Sequence, residues 1–334
     1  MKLKLKPLKK QTLVITGATS GIGLATARMA AEAGANLVLA ARSEEDLRTV
    51  AADLIRRGGQ VATVAADVAS IPDIQRVAAK AQQEFGGFDT WINNAAASIW
   101  GRLEEVSDED SRRMFDTNYW GVVNGSLEAI KHLKQHGGAL INLGSVASDI
   151  AFPLQGMYSA SKHAIKGFTD ALRIELEEQD APISVTLIKP SAINTPFPQH
   201  ARNYMDREPK LPPPVYEPEE VAHAIIHAAQ HPERDVYIGG GGKMFSTFNK
   251  YIPGTMDLMN EKVTMKMQAR DERPRHAAGS LHSPDVRDGK VRGDHPGYVM
   301  KKSLYTRASL HPVLTGAFAA LAGGVVLALL SREK

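Results

Sequence analysis

Tyr158 and Lys162 stand four positions apart, so a helix that carries both puts a phenol and an ammonium on one face. A free phenol titrates near ~10, and a lysine charge ~4 Å away at an effective dielectric near ~20 is worth about 4 kcal/mol. At ~1.36 kcal/mol per unit, that lowers the phenol by roughly three units before the cost of desolvating either group. A tyrosine so placed exchanges a proton near neutral pH. The same spacing arises wherever a helix contains both residue types, so the elements around the pair must decide what it does.

The first of those elements is a short apolar strand over 11–16 that runs into Gly17-Ala18-Thr19-Ser20-Gly21-Ile22-Gly23 and then a helical pattern to about residue 34. Strand, glycine-rich turn and helix make a phosphate site. Small residues let the backbone approach a pyrophosphate, and the helix N-terminus offers free N–H groups and a partial positive charge. A second strand over 36–41, a helix over 44–57 and a third strand over 60–66 follow, which implies βαβ units and a parallel sheet. An NAD-binding fold would place an acid at the end of the second strand to meet the ribose hydroxyls; here Ala41 is followed by Arg42. Nothing there repels a 2′-phosphate and Arg42 can pair with one, so NADP(H) is expected over NAD(H). Asp67, followed by Val68, is placed either to cap the next helix, over 73–85, or to meet the adenine. The fourth strand, 90–93, ends in Asn93-Asn94-Ala95-Ala96, whose amides bind backbone and whose small side chains leave room.

In the second half, Ser107 is placed to cap one long helix over 108–135, within which lies Asn118. Ser145 ends a fifth strand over 138–144, at the edge where parallel sheets meet ligands. A sixth strand over 183–189 leads into Pro190-Ser191-Ala192-Ile193-Asn194-Thr195-Pro196. Residues 197–216 are proline-rich and irregular, the composition of a substrate lid, before a helix over 218–230 and a seventh strand over 235–238. Trp100, Phe152, Phe197, Tyr204 and Met205 are candidates for an apolar pocket beneath it.

From about residue 10 to 242 the chain resembles the short-chain dehydrogenase/reductase family. The resemblance rests on Thr-Gly-x-x-x-Gly-x-Gly at 16–23, Asn93-Asn94-Ala95, Asn118 with Gly121, Ser145, and Tyr158 with Lys162. It implies a Rossmann-type doubly wound α/β fold with a parallel seven-stranded sheet in the order 3-2-1-4-5-6-7. It also implies hydride transfer between nicotinamide and a carbonyl or secondary alcohol, with Tyr158 exchanging the proton, Ser145 holding the oxygen, and Lys162 tuning the phenol and binding the nicotinamide ribose. Asn118 is implied to hold a water leading to the lysine. Gly17, Thr19, Ser20, Gly21, Ile22, Gly23, Arg42, Asp67, Val68, Asn93, Asn94, Ala95, Tyr158, Lys162, Pro190, Ile193 and Thr195 are the implied cofactor contacts. Ala96 and Ser191 replace glycines of the family pattern, adding a methyl near the cofactor and removing backbone freedom. A homodimer or homotetramer built on the helices of Asn118 and Tyr158 is implied as well.

The 334 residues carry a net charge of +3, with the basic residues gathered at the chain ends, which gives no nucleic-acid footprint. Cysteine is absent, excluding disulfides and thiolate chemistry and agreeing with a cytoplasmic setting. His276, His282 and His295 lack metal-ligand spacing, and no metal is expected. Residues 1–10 read as a basic tail, 11–242 as the catalytic domain with a lid at 195–217, and 243–312 as an extension containing a polar linker at 270–295. The apolar run 313–330 would be about 27 Å long as a helix, close to the roughly 30 Å hydrocarbon thickness of a bilayer, so a C-terminal membrane anchor is expected. The lipophilic-carbonyl oxidoreductase has two alternatives. One is a membrane-tethered NADP(H)-binding scaffold without turnover. The other, an epimerase or dehydratase of the extended branch, is opposed by the glycine spacing.

Overall fold

Alternation along the first strand divides its side chains between two cores. In β1 (Thr12–Thr16), Leu13 and Ile15 point to one face of the sheet and Val14 to the other, each fully buried. The computed structural model describes residues 3–284, 289–311 and Thr315. After β1 come α1 (Gly21–Glu32), β2 (Asn36–Ala41), α2 (Glu44–Arg56), β3 (Gln60–Ala65), α3 (Ile71–Phe85) and β4 (Thr90–Asn93). The catalytic half adds α4 (Asp108–Phe115), α5 (Gly121–His136), β5 (Gly138–Leu143), α6 (Gly156–Glu178), β6 (Ile183–Pro190), α7 (Pro218–Ala228) and β7 (Asp235–Ile238).

These strands form one all-parallel sheet in the order 3-2-1-4-5-6-7, as the sequence predicts. The chain winds outward from β1 to β3 and then restarts on the other side with β4. The C-terminal ends of β1 and β4 therefore part, and the crevice between them is where a doubly wound sheet receives a ligand. On one face, α1 packs against α7 over Leu13, Ile15, Leu24 and Ile225; on the other, α3, α5 and α6 cover Val14, Trp91, Leu140 and Val185. Truncating one such leucine to alanine costs about 2–5 kcal/mol, so the sheet is a rigid platform for what its ends carry.

A buried polar chain joins sheet and helices on the second face. Trp91 Nε1 donates to Asn93 Oδ1 at 2.8 Å, Asn93 Nδ2 to Asn142 Oδ1 at 2.9 Å, and Asn142 Nδ2 to Thr169 Oγ1 at 3.0 Å. In low dielectric a satisfied chain of this kind fixes register, here that of β4, β5 and α6.

Two departures from the sequence reading stand out. The single helix expected over 108–135, capped by Ser107 as predicted, is interrupted by a π turn, Asp116–Trp120, that carries Asn118. Residues 270–284 and 289–295 are not a free linker but lie hydrogen-bonded along the catalytic domain. Beyond β7, α8 (Gly240–Tyr251) and α9 (Pro253–Met259) cover the sheet's C-terminal edge, and α10 (Leu304–Leu310) returns against β7 and α7. The apolar run 313–330 lies outside the described residues apart from Thr315. Among the described residues no helix is long and apolar enough to cross a membrane.

Candidate active site

The crevice begins where β1 ends. Thr16 Oγ1 accepts from the N–H groups of Asn94 and Ala95 at 3.0 and 3.1 Å, and Asn94 Nδ2 donates back to the carbonyls of Thr16 and Gly17 at 2.9 and 3.0 Å. The end of β4 thus braces the glycine turn. Gly17 has φ +64°, and a Cβ on Gly23 would stand 2.1 Å from Gly17 O, so the turn and the first turn of α1 meet backbone to backbone. That close approach fixes the curve of the turn, whose cavity face is lined by Gly17, Thr19, Ser20, Gly21 and Ile22 and suits the pyrophosphate of a dinucleotide.

A cavity of 480 Å³ starts at this cradle and runs to the ends of β5 and β6. Gly17, Thr19, Ser20, Gly21 and Ile22 line it at one end, with Arg42, Asp67, Val68, Asn94 and Ala95 beside them. Ser145, Tyr158, Lys162, Pro190 and Ile193 line the other, and Thr195 stands between, against Gly21. Gly23, Asn93 and Asn118 stand behind the wall: Gly23 in the turn–helix contact, Asn93 in the buried polar chain, Asn118 within the π turn. Asn118 Oδ1 accepts from Ala97 N at 2.8 Å while its Nδ2 donates to Ala97 O and to Ser161 Oγ, both at 3.0 Å. It thereby ties the strand-4 loop to α6.

Ser145 is the N-cap of a short helical turn, its Oγ accepting from Ala147 N at 3.0 Å. Tyr158 and Lys162, one turn apart on α6, face the same cavity. Lys162 Nζ donates to Leu143 O at 2.8 Å and lies 5.6 Å from the centre of the phenol ring. Burial pushes the Tyr158 phenol up to about 12, with a hydrogen bond from Ser145 pulling the other way, and burial draws the Lys162 ammonium down to about 7. The expected lowering of the phenol by the lysine is therefore reversed. The ammonium is aimed at a β5 carbonyl, and desolvation disfavours both charged forms. A protonated phenol and a hydroxyl beside it can deliver a proton and a hydrogen bond to one substrate oxygen.

At the adenine end two expectations are refined. Asp67 accepts from Ala69 N at 3.0 Å and pairs with Arg113 Nη2 at 2.5 Å, so it caps the turn and also lines the cavity. Ser70 is the N-cap of α3. Arg42 donates to the carbonyls of Leu281, at 3.0 Å, and Ser280, both in the C-terminal extension. Ser191, in place of the pattern's glycine, turns its hydroxyl to Ile238 O at 2.7 Å.

The other wall is apolar. Trp100, Phe152 and Phe197 line it as expected, with the Phe197 ring 5.7 Å from that of Tyr158. Tyr204 and Met205 do not. Tyr204 Oη instead donates to Asp110 Oδ2 at 2.7 Å. Their place is taken by Phe245, Met256, Met259, Val263 and Met267 from α8, α9 and the turns after it. Sequence reasoning missed these because it ended the site at the lid; the methionine-rich helical pattern over 245–267 was the available signal.

The chain matches the family model for short chain dehydrogenases over residues 11–206. It is 45% identical over 323 residues to the uncharacterized oxidoreductase YxnA of Bacillus subtilis, covering 96% of this chain and 90% of that protein. It is 34% identical over 256 residues to 3beta-hydroxysteroid dehydrogenase 1 of Eggerthella lenta, covering 72% of this chain and 97% of that protein. Among solved structures it resembles an alcohol dehydrogenase of Thermococcus sibiricus complexed with 5-hydroxy-NADP, at a TM-score of 0.61 and 27% identity over 68% of this chain and 95% of the other.

Proposed function

The chain belongs to the short-chain dehydrogenase family and is an oxidoreductase of that family, and from that premise we propose that it acts on a lipophilic ketone, aldehyde or secondary alcohol with NADP(H), using Tyr158 as the proton donor or acceptor. One observation carries the reading: Tyr158, Ser145 and Lys162 share a single cavity with the glycine-rich cradle. The nicotinamide, when bound, supplies or takes up the hydride. The cradle residues from Gly17 to Ile22, together with Thr195, would hold its phosphates, with Asp67 and Val68 at the adenine and Pro190 and Ile193 near the nicotinamide. Lys162 would hold the ribose.

In the reducing direction Tyr158 Oη gives its proton to the substrate oxygen while Ser145 Oγ donates a hydrogen bond to the same atom. A phenol held near 12 is fully protonated at neutral pH, as a donor must be. In oxidation the two groups act in reverse. Preference for NADP(H) is supported by Arg42 after β2 and by the absence of a carboxylate at that position. The aromatic and methionine wall supports a lipophilic substrate, and a relative named for a hydroxysteroid points the same way. Exposed Trp120 and Leu127 on and beside α5, and Ile174 on α6, support assembly as a homodimer or homotetramer through those helices.

The test is NADPH and NADH oxidation by the full chain over a panel of lipophilic carbonyls. Turnover with NADPH is expected, and Tyr158→Phe should lower kcat by about 10²–10⁴ while the protein still binds cofactor. A Tyr158→Phe enzyme at full rate overturns the proton role. Binding without any turnover favours the scaffold alternative, and an unchanged cofactor preference in Arg42→Ala removes the 2′-phosphate assignment.

A further inference from the structure

The segment beyond residue 270 makes three contacts along the path that one dinucleotide would follow. At the adenine end, Leu281 O and Ser280 O accept from the Arg42 guanidinium. Over the glycine turn, Gly289 N donates to Thr19 O and Gly21 N donates to Lys290 O, both at 3.0 Å. On the β6 side of that turn, where Thr195 faces Gly21, Gly293 N donates to Asn194 O at 3.2 Å, and its backbone lies so close to Thr195 that a Cβ would sit 2.3 Å from Thr195 O. We propose that the two limbs 276–284 and 289–295 form a clasp over the cofactor, which must open before the dinucleotide can leave.

Two features distinguish a clasp from a plug. The segment takes the N–H of Gly21 but leaves those of Ile22 and Gly23 without partners among the described residues. Beneath it the cavity persists, and Ser280, Leu281 and Pro284 become part of its wall. The segment therefore roofs the site without filling it.

The way the limbs are held sets how the clasp opens. One buried aliphatic side chain pins each limb: Leu281, 1% exposed against Ile99 and Met114, and Val291, 6% exposed at the edge of the main core. A polar latch joins the limb bases, with Asp294 paired to Arg270 at 2.5 Å and to Arg275 at 2.7 Å. Asp294 also accepts from Gln199 Nε2, in the lid. Asp294 is 40% exposed, so water can replace its partners and the latch can part without unfolding the domain, while withdrawing two apolar pins makes opening slow. The consequence is a cofactor retained through turnover and exchanged slowly.

The inference rests on the dinucleotide reading of the same cradle. Its test loads the full-length protein with NADPH, chases with excess NADP⁺ and follows the fluorescence decay, for wild type, Asp294→Ala and Leu281→Ala, with circular dichroism to verify folding. Asp294 is 40% exposed, so its variant keeps the test available if Leu281→Ala misfolds. Release at least about tenfold faster in the variants is expected, as is raised hydrogen-exchange protection of 289–295 in the loaded wild type. If wild type binds NADPH and the folded variants release it at the wild-type rate, the clasp is wrong while the cofactor reading stands. Tighter binding in the variants would make the segment a competing plug and overturn the clasp. Failure of wild type to bind either nicotinamide dinucleotide removes the cofactor reading and the clasp together.

Discussion

The β1–α1 cradle and the C-terminal extension face each other across one cavity but are built by different physics. The cradle is backbone against backbone. Its position follows from alternating apolar residues in β1 and from a glycine that lets Gly17 O approach α1. The extension is laid against a finished surface, fastened by ion pairs and by carbonyls that accept from Arg42, from Gly21 of the cradle and from Arg202 and Asn203 of the lid. The first region makes the site and the second roofs it. Cavity chemistry thus belongs to both, since the cavity that buries Tyr158 and Lys162 is lined by the methionine wall as well as by the strand ends.

The comparison breaks most severely at Gly23. A Cβ there would meet backbone atoms of Gly17 at 2.1 and 2.9 Å, and backbone has nowhere to retreat without moving the strand end. Gly23→Ala should destabilise the fold by about 1–3 kcal/mol, as overpacking does, and should weaken dinucleotide binding more than tenfold because the cradle itself is displaced. Calorimetric titration with NADPH alongside urea unfolding reads both. Wild-type affinity in the variant would mean that the turn tolerates a side chain and that the cradle is not the constraint.

A smaller effect is expected where the extension is fastened. Glu220 on α7 is 1% exposed, and its carboxylate receives Arg307 Nη2 at 2.8 Å and Ser303 N at 3.2 Å. Removing the arginine leaves that buried carboxylate short of its partner, but Arg307 is itself 36% exposed and water can partly replace it. Arg307→Ala should therefore cost about 1–3 kcal/mol, below the value for a fully buried pair. Protease nicking near α10 should rise in parallel. Unfolding free energy equal to wild type would show that α10 lies against the domain without stabilising it.

What the sequence disclosed follows the same division. Seven strands and the cradle were legible because apolar periodicity and glycine spacing are local signals, whereas the strand order and the meeting of Ser145, Tyr158 and Lys162 were implied by the family resemblance. The π turn at Asn118 was not legible, because a single inserted residue leaves the helical pattern over 108–135 almost unchanged. Nor was the roof. Residues 270–295 have the composition of a linker, and the described parts, 270–284 and 289–295, are held by partners such as Arg42, Asn194 and Glu208 that lie far away in the chain. The expected depression of the Tyr158 phenol failed for a related reason: spacing gives the charge separation but says nothing of how dry the cavity is.

That dryness gives the smallest and sharpest test. Burial lowers Lys162 from 10.5 to about 7, so between those values the unfolded lysine holds a proton that the folded one has released. Stability from this group must then rise with pH across the window and be flat below about 7, where both states are charged. Between pH 7 and 8 the gain is about 1 kcal/mol by that linkage. Urea unfolding at the two pH values should show it in wild type and not in Lys162→Met. The same measurement on Arg307→Ala compares the two regions directly. A loosened roof admits water, returns the lysine toward its ordinary value and shrinks the gain, whereas an undiminished gain would assign the drying of the cavity to the sheet and lid alone.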